Sequence, residues 1–544
     1  MPNQRPSRVA ALRDNLALQR RAFEVCKEAG MIGGQSPLAT IKILRNVRVL
    51  GAVGAAIGNS ATKFADTTAI IDERGEITYA ELDASVNALA NHLTGRGFKA
   101  GDGLAILARN HRGLPISIYA GAKVGARIVL LNTDFAGPQI REVASREGMD
   151  FLIYDDEYAQ FLDGVEPPLG RLRAWADTPG VDTVEAVVAA GDPSTPKRPA
   201  MRSKLVVLTS GTTGSPKGAP RTEPKGLLPI AAILDKLNFR SGDVMELCAP
   251  MFHSLGMAFM LLGIGLGNTL VIRRRFDPIA TLDSIERNGS TTMVAVPVML
   301  ARILDEGKDE LASRDLSSIR GILAGGSQLG GELAERTQAA FGLVLHNLYG
   351  STEVAYATMA QPADLAAAPD CVGKVCLGTV VRILDDRGNE VPAGATGRIF
   401  VRNAIPFDGY TGGGHKEVID GLMSTGDVGH FDSEGRLFVD GRDDEMIVSG
   451  GENVFPREIE ELLAHHEDVA DVAAIGVPDE KFGERLRAFV VRREGADIGE
   501  DAIKDYVRAR LARYKVPREV VFLDELPRNA TGKILKRELK LIEV

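Results

Sequence analysis

Short runs of consecutive apolar residues alternate along this chain with longer stretches whose apolar positions recur at helical spacing. Buried-strand runs fall at 77–79, 104–107 and 128–131, and helical patterns at 79–93 and Gly113–Val124. A second block repeats the theme, with strands at 205–208, 269–272, 292–296 and 321–324. A helix at 329–341 is then stopped by Gly342, and a strand follows at 343–348. Strands buried on both faces and joined by helices predict parallel sheets covered on each side. From about Val380 the strands shorten and are separated by turns such as Asp386-Arg387-Gly388-Asn389, which predicts an antiparallel, barrel-like subdomain. After Gly441 a charged run, Arg442-Asp443-Asp444-Glu445, leads into a compact tail of mixed helix and strand. The expected fold class is α/β: a large N-terminal domain of parallel sheets plus a small barrel-like subdomain, hinged to a small α+β C-terminal domain. The expected divisions are an arm at 1–60, a large domain at 61–440, a hinge at 441–445 and a small mobile domain at 446–544.

The arm carries an amphipathic pattern in which Ala10, Leu12, Leu16, Leu18, Phe23 and Val25 share a face ahead of the glycine break at 30–34. Two readings stand: a helix docked on the main body, or contact with a membrane surface. Charge sharpens the second, because residues 1–50 carry a net +6 while the whole chain carries −9. The acidic remainder argues against extended nucleic-acid binding. Four cysteines with no CxxC pair argue against zinc and disulfides, and the start of the chain lacks a secretory pattern, so a cytoplasmic setting is expected. The apolar run at 49–57 is far shorter than the ~20 residues of a spanning helix.

The sharpest chemical feature is Leu205-Val206-Val207-Leu208-Thr209-Ser210-Gly211-Thr212-Thr213-Gly214-Ser215-Pro216-Lys217-Gly218. An apolar strand runs into a loop of glycines, hydroxyls and one lysine. Such a loop can turn backbone N–H groups, hydroxyls and an ammonium toward a polyphosphate, or can be a flexible connection. It is not a Walker loop, since no glycine precedes the lysine and no Ser/Thr follows it.

This stretch resembles the phosphate-binding loop of the adenylate-forming superfamily, which includes acyl- and aryl-CoA synthetases, peptide-synthetase adenylation domains and beetle luciferases. Further motifs follow in the family's order: Ala249-Pro250-Met251-Phe252-His253-Ser254, Ala324-Gly325-Gly326-Ser327, Asn347-Leu348-Tyr349-Gly350-Ser351-Thr352-Glu353, Ser424-Thr425-Gly426-Asp427, Gly441-Arg442-Asp443-Asp444 and Pro527-Arg528-Asn529-Ala530-Thr531-Gly532-Lys533. The resemblance implies ATP, Mg²⁺ and coenzyme A as ligands. It places Lys533, Glu353, Thr352 and His253 at the chemistry, with Glu353 holding the metal. It places Thr209 to Gly214, Lys217, Gly326, Ser327, Asn347, Tyr349, Gly350, Ser351, Asp427 and Arg442 around the nucleotide. Asp444 falls at the hinge and Gly451 beside a pantetheine tunnel. Without the resemblance, Glu353 also reads as a surface glutamate capping a helix, and Asp427 with Arg442 as a simple ion pair.

Three features bear on the acid. His253 stands where amino-acid-activating relatives carry an aspartate. Gly350 stands where acetate-activating relatives carry a tryptophan, and the only tryptophan is Trp175. The 257–267 stretch is apolar and glycine-rich, fit either to line a channel or to pack as core. The expected activity is ATP-dependent activation of a medium- or long-chain fatty acid and its transfer to coenzyme A. Alternatives are a fatty-acyl-AMP ligase feeding a carrier protein and an aryl-acid CoA ligase. A tryptophan at position 350 is expected to shift activity toward short acids. Peripheral membrane contact through residues 1–50 and a homodimer are open expectations. The loop before the core motif departs from many relatives in reading Gln328-Leu329 without a proline.

Overall fold

The computed structural model describes residues 8–34, 36–178, 180–209, 217–221, 226–405, 407–411, 413–443, 447–449, 452–479, 483–511, 515–529 and 532–542. Gly103–Leu107, with no polar side chain, is buried at every position, as are Phe151–Asp155, Thr292–Ala295 and Gly321–Gly325. Such strands need cover on both faces, and the architecture provides it. A six-stranded sheet runs in the order Arg171–Trp175, Phe151–Asp155, Gly103–Leu107, Arg127–Leu130, Lys204–Thr209, Lys217–Arg221. Its first five strands are parallel, and the last turns back antiparallel. A nine-stranded sheet has Leu345–Tyr349, Gly321–Gly325, Thr292–Ala295, Val244–Leu247, Thr269–Val271 and Thr68–Asp72 as its parallel centre. Antiparallel strands close both of its edges.

Helix Gly113–Val124 packs against the six-stranded sheet and is buried along its whole length, ending where Gly125 takes a left-handed φ of 77°. Helix Tyr79–Gly95 begins at a full capping box, Thr78 with Glu81. From Val380 the chain forms an antiparallel sheet of Val380–Leu384, Gly397–Arg402, Val418–Ile419, Leu422–Phe431 and Leu437–Arg442. The tail builds its own five-stranded sheet and its own core, in which Ile447, Ile459, Leu463, Ala488 and Val490 are all buried. The α/β class with a separate C-terminal α+β unit is therefore observed.

The N-terminal arm takes the first of its two expected readings, a helix docked on the main body, but through a partly different face. Helix Arg8–Glu28 docks through Ala22, Val25, Cys26 and Ala29, and Arg21 pairs with Asp235 at 2.8 Å. Leu16 and Phe23, expected on the buried face, are 63% and 48% exposed, while the Ala10 and Leu12 side chains lie outside the described residues. A second helix, Pro37–Phe64, follows it, broken at Gly51. Among the described residues no helix is long and apolar enough to cross a membrane.

Candidate active site

Segments that follow the C-terminal ends of two parallel strands, Lys204–Thr209 and Leu345–Tyr349, meet at Tyr410, and open α/β folds place their ligands beyond such strand ends. Thr209 ends its strand there and pairs with Lys217 across the hairpin; Ser210, Gly211, Thr212, Thr213 and Gly214 lie outside the described residues. The Lys217 ammonium stands over the Tyr410 ring, 5.4 Å from its centroid. Gly218 is tied to Thr411 in both directions: its N–H donates to Thr411 Oγ1 (3.0 Å), and its carbonyl accepts from the Thr411 N–H (2.9 Å). Thr411 in turn donates to Glu147 Oε1 at 2.6 Å. A Cβ at position 218 would sit 2.4 Å from Thr411 Oγ1, so this close approach requires glycine.

Leu345–Tyr349 carries Asn347 buried opposite Ala324, and the Tyr349 hydroxyl donates to Asp427 Oδ2 at 2.6 Å. Beyond it the chain makes a tight turn. Ser351 Oγ accepts from the N–H groups of Glu353 and Val354, and also donates to Glu353 Oε2 at 2.9 Å. Half-buried Thr352 lies between them. The Tyr410 hydroxyl donates to Glu353 Oε1 at 2.5 Å, so both carboxylate oxygens are held. Burial pushes the Glu353 carboxyl up, but those hydroxyls and the Lys416 charge outweigh it and hold the group below its ordinary range. Ala355 closes the turn at a φ of 61°, a strained conformation for a residue with a Cβ.

Gly350 is pinned by this turn. A Cβ there would lie 2.2 Å from the Ala355 carbonyl oxygen, which bears on the tryptophan expected at this position to shift activity toward short acids. Any side chain would first have to reshape the turn that holds Glu353.

Asp427 and Arg442 face each other on paired strands, with Arg442 Nη1 3.3 Å from Asp427 Oδ1. Burial pushes the Asp427 carboxyl up, against the pull of Tyr349 and of the Arg442, Lys533 and Arg457 charges. Lys533 is thus close enough for its charge to be felt at a carboxylate of the large domain. Its loop is closed by Asn529, whose side chain accepts from the Lys533 N–H at 2.9 Å. Gly532, at φ 75°, is pressed so closely on helix Pro297–Asp305 that a Cβ would meet Val298 at 2.2 Å. Gln328 reaches across to Glu461 at 3.1 Å, from the loop where Gly326 takes φ 86° beside half-buried Ser327. Asp444 and Gly451 lie outside the described residues.

Where the loop of Gly532 meets the large domain, a cavity of about 370 Å³ opens, with Phe252, Val298 and Met299 on its apolar wall. Arginines 109, 273, 274, 275, 302 and 528 also line it. Glu157 orders three of them, pairing with Arg109, Arg274 and Arg275 at 2.8–3.0 Å. The guanidinium carbons of Arg74 and Arg274 lie over the Trp175 ring, 4.2 and 4.6 Å from its centroid. His253, beside Phe252, is driven down to about 4 by burial, and its Nε2 is shut from water with no hydrogen-bond partner among the described residues. It is a neutral ring with one polar atom to offer a ligand. Met257, Phe259, Met260 and Leu262 all pack in the main core.

Tyr410, Thr411, Lys416 and Glu147 were not singled out from the sequence. The available signal was a tyrosine and a threonine set among glycines 409, 412, 413 and 414, which is weak without knowing that the loop folds back onto Glu353.

Comparison with known proteins places this geometry. The family described as AMP-binding enzyme matches residues 57–411, and the AMP-binding enzyme C-terminal domain matches 458–533. An indoleacetate–CoA ligase from Aromatoleum aromaticum is 35% identical over 87% of this chain and 94% of its own length. A long-chain-fatty-acid–CoA ligase from Mycobacterium tuberculosis is 31% identical over 85% of this chain and 92% of its own. Among solved structures, o-succinylbenzoate CoA synthetase from Bacillus subtilis, in complex with its acyl-adenylate intermediate, superposes with a TM-score of 0.79. It is 28% identical, covering 90% of this chain and 98% of that one.

Proposed function

The chain belongs to the AMP-binding enzyme family, and on that premise we propose that it activates a carboxylic acid with ATP and passes the acyl group to coenzyme A. A carboxylate oxygen of the acid attacks the α-phosphorus of ATP, the bond to the β-phosphate oxygen breaks, and pyrophosphate departs. The thiol sulfur of coenzyme A then adds to the carbonyl of the mixed anhydride, the thiol proton is lost, and AMP leaves.

The observation that carries the reading is the Asp427–Arg442 pair, 3.3 Å apart, with the Tyr349 hydroxyl and the Lys533 charge both bearing on Asp427, while the turn that follows Tyr349 holds an ionised Glu353. Asp427 would accept from the ribose hydroxyls, with Arg442 donating to the same sugar and Asn347 offering donor and acceptor to the base. Thr352 and Lys217 would meet phosphate oxygens, and Lys533 would offset the charge that builds up as the acid oxygen reaches phosphorus. Glu353 fits Mg²⁺: a single hard, ionised carboxylate leaves the remaining positions to phosphate and water, and the ion would there neutralise phosphate charge. The arginines around the cavity suit the approach of a polyanion such as coenzyme A. Asp444 is proposed as the pivot that exchanges the two half-reactions, and Gly451 as the close approach for the thiol arm.

For the acid, an aromatic carboxylate is the first candidate. Its support is the 35% identity to an indoleacetate ligase, against 31% to a long-chain fatty-acid ligase. A medium- or long-chain fatty acid is the second reading. Pyrophosphate release across a panel of aryl and fatty acids, with and without coenzyme A, tests both. Release with an aryl acid, and acyl-CoA by mass spectrometry only when the thiol is added, is the expected result. Product unchanged by coenzyme A would point instead to a carrier-protein acceptor. Lys533→Ala should slow adenylation ~100-fold or more while sparing transfer from preformed adenylate. Equal loss of both steps would remove Lys533 from its assigned role.

A further inference from the structure

Helix Pro37–Phe64 changes character at Gly51, whose φ of 81° and ψ of 179° break it in two. Its second half is core: Gly54, Ala55, Ile57 and Ser60 are buried, and Ser60 donates to the Ile264 carbonyl at 2.6 Å. Its first half is tied down on its inner side, where Asn46 donates to Asn59 at 2.9 Å, and at its end, where the Arg48 carbonyl accepts from the Arg202 guanidinium at 2.8 Å. On the outer face Leu38, Ile41, Leu44 and Val47 are 80%, 63%, 64% and 39% exposed.

Lys42, Arg45 and Arg48 are exposed as well. At 100° per residue, Arg45 projects between Leu38 and Ile41, and Arg48 between Ile41 and Leu44. No acidic residue occurs between Glu28 and Asp66. The half-helix also precedes the region shared with the family, which starts at residue 57.

We propose that the half-helix 37–50 lies in the headgroup layer of an anionic bilayer and holds the enzyme at that surface. Its leucines and isoleucine enter the boundary of the acyl chains, while Lys42, Arg45 and Arg48 reach back to lipid phosphates. Charge complementarity selects this occupant over a second copy of the chain. A symmetric contact would bring two identical sets of three cations together, whereas an anionic leaflet neutralises them. Four apolar side chains left in water at helical spacing are what such a surface requires and what a monomer in water does not.

Co-sedimentation of the full chain with vesicles tests this, comparing phosphatidylcholine alone with phosphatidylcholine containing phosphatidylglycerol. The wild type should pellet about ten-fold more with the anionic vesicles. Joint Leu38→Ser, Ile41→Ser and Leu44→Ser should abolish that difference, as should joint Lys42→Glu, Arg45→Glu and Arg48→Glu, with an unchanged thermal midpoint certifying the fold. The charge-reversed chain keeps the test informative if the serine variant does not fold. Wild-type protein that stays in the supernatant, or variants that pellet as wild type does, would overturn the proposal. So would light scattering that finds a dimer undone by the serine substitutions in a chain that ignores vesicles.

Discussion

Glu246 lies in the middle of the nine-stranded sheet, where the hydroxyls of Ser284 and Ser290 donate to one of its oxygens at 2.7 Å. Burial pushes its carboxyl up to about 7, against those hydroxyls and the charge of Arg273. In the unfolded chain the same group titrates near 4.5. The folded state therefore holds this proton more tightly, and its contribution is fully present at acid pH. It is lost as pH rises from about 4.5 to about 7, a cost of roughly 3 kcal/mol that is complete above that window. Glu246→Gln keeps an acceptor for the serines without the ionisation. Calorimetry of both chains at about pH 5 and about pH 8 should show the variant losing less stability on the alkaline side. Parallel pH dependences would mean that Glu246 is not the group responsible.

At the scale of the element, the turn from Gly350 to Ala355 concentrates the site's constraints. Gly350→Ala would drive a methyl against the Ala355 carbonyl and displace Glu353. Adenylation should fall ~100-fold as that carboxylate leaves its two hydroxyl donors, while the circular dichroism stays native. Retained activity would show that the turn can relax around the methyl. Elements were legible in the sequence where local rules decide them. Gly113–Val124 has its expected bounds because the run is mostly apolar and a glycine ends it, and the buried strands announced themselves as apolar runs. The 343–348 strand was expected two residues early, since Leu343 looked like strand core but is 64% exposed after the Gly342 stop. The face of helix Arg8–Glu28 was misjudged in part because docking, not periodicity alone, chose Ala22 and Cys26 over Leu16 and Phe23. In the site, Glu353, Asp427 and Arg442 could be named from motifs, whereas the Tyr410 and Thr411 contacts join segments up to 264 residues apart. No local pattern encodes such a meeting.

Across the whole molecule, the contacts between the small domain and the large one include Gly532 on Val298, Gln328 with Glu461, and Arg493 with Glu332 at 3.6 Å. Gly532→Ala combines a left-handed backbone with a 2.2 Å clash, so it should oppose this docked arrangement rather than unfold either domain. Adenylation should drop at least about ten-fold while transfer from preformed adenylate persists, read by separate half-reaction assays. A parallel fall in both would assign the effect to general damage. Trp175 carries a last consequence. It is the sole indole of the chain, and one of the two guanidiniums over its ring belongs to Arg274, which also lines the cavity. An anion that enters the cavity and draws Arg274 toward itself must alter the polarisation of that ring. The unlabelled protein thus contains its own fluorophore, set at one guanidinium's remove from that cavity.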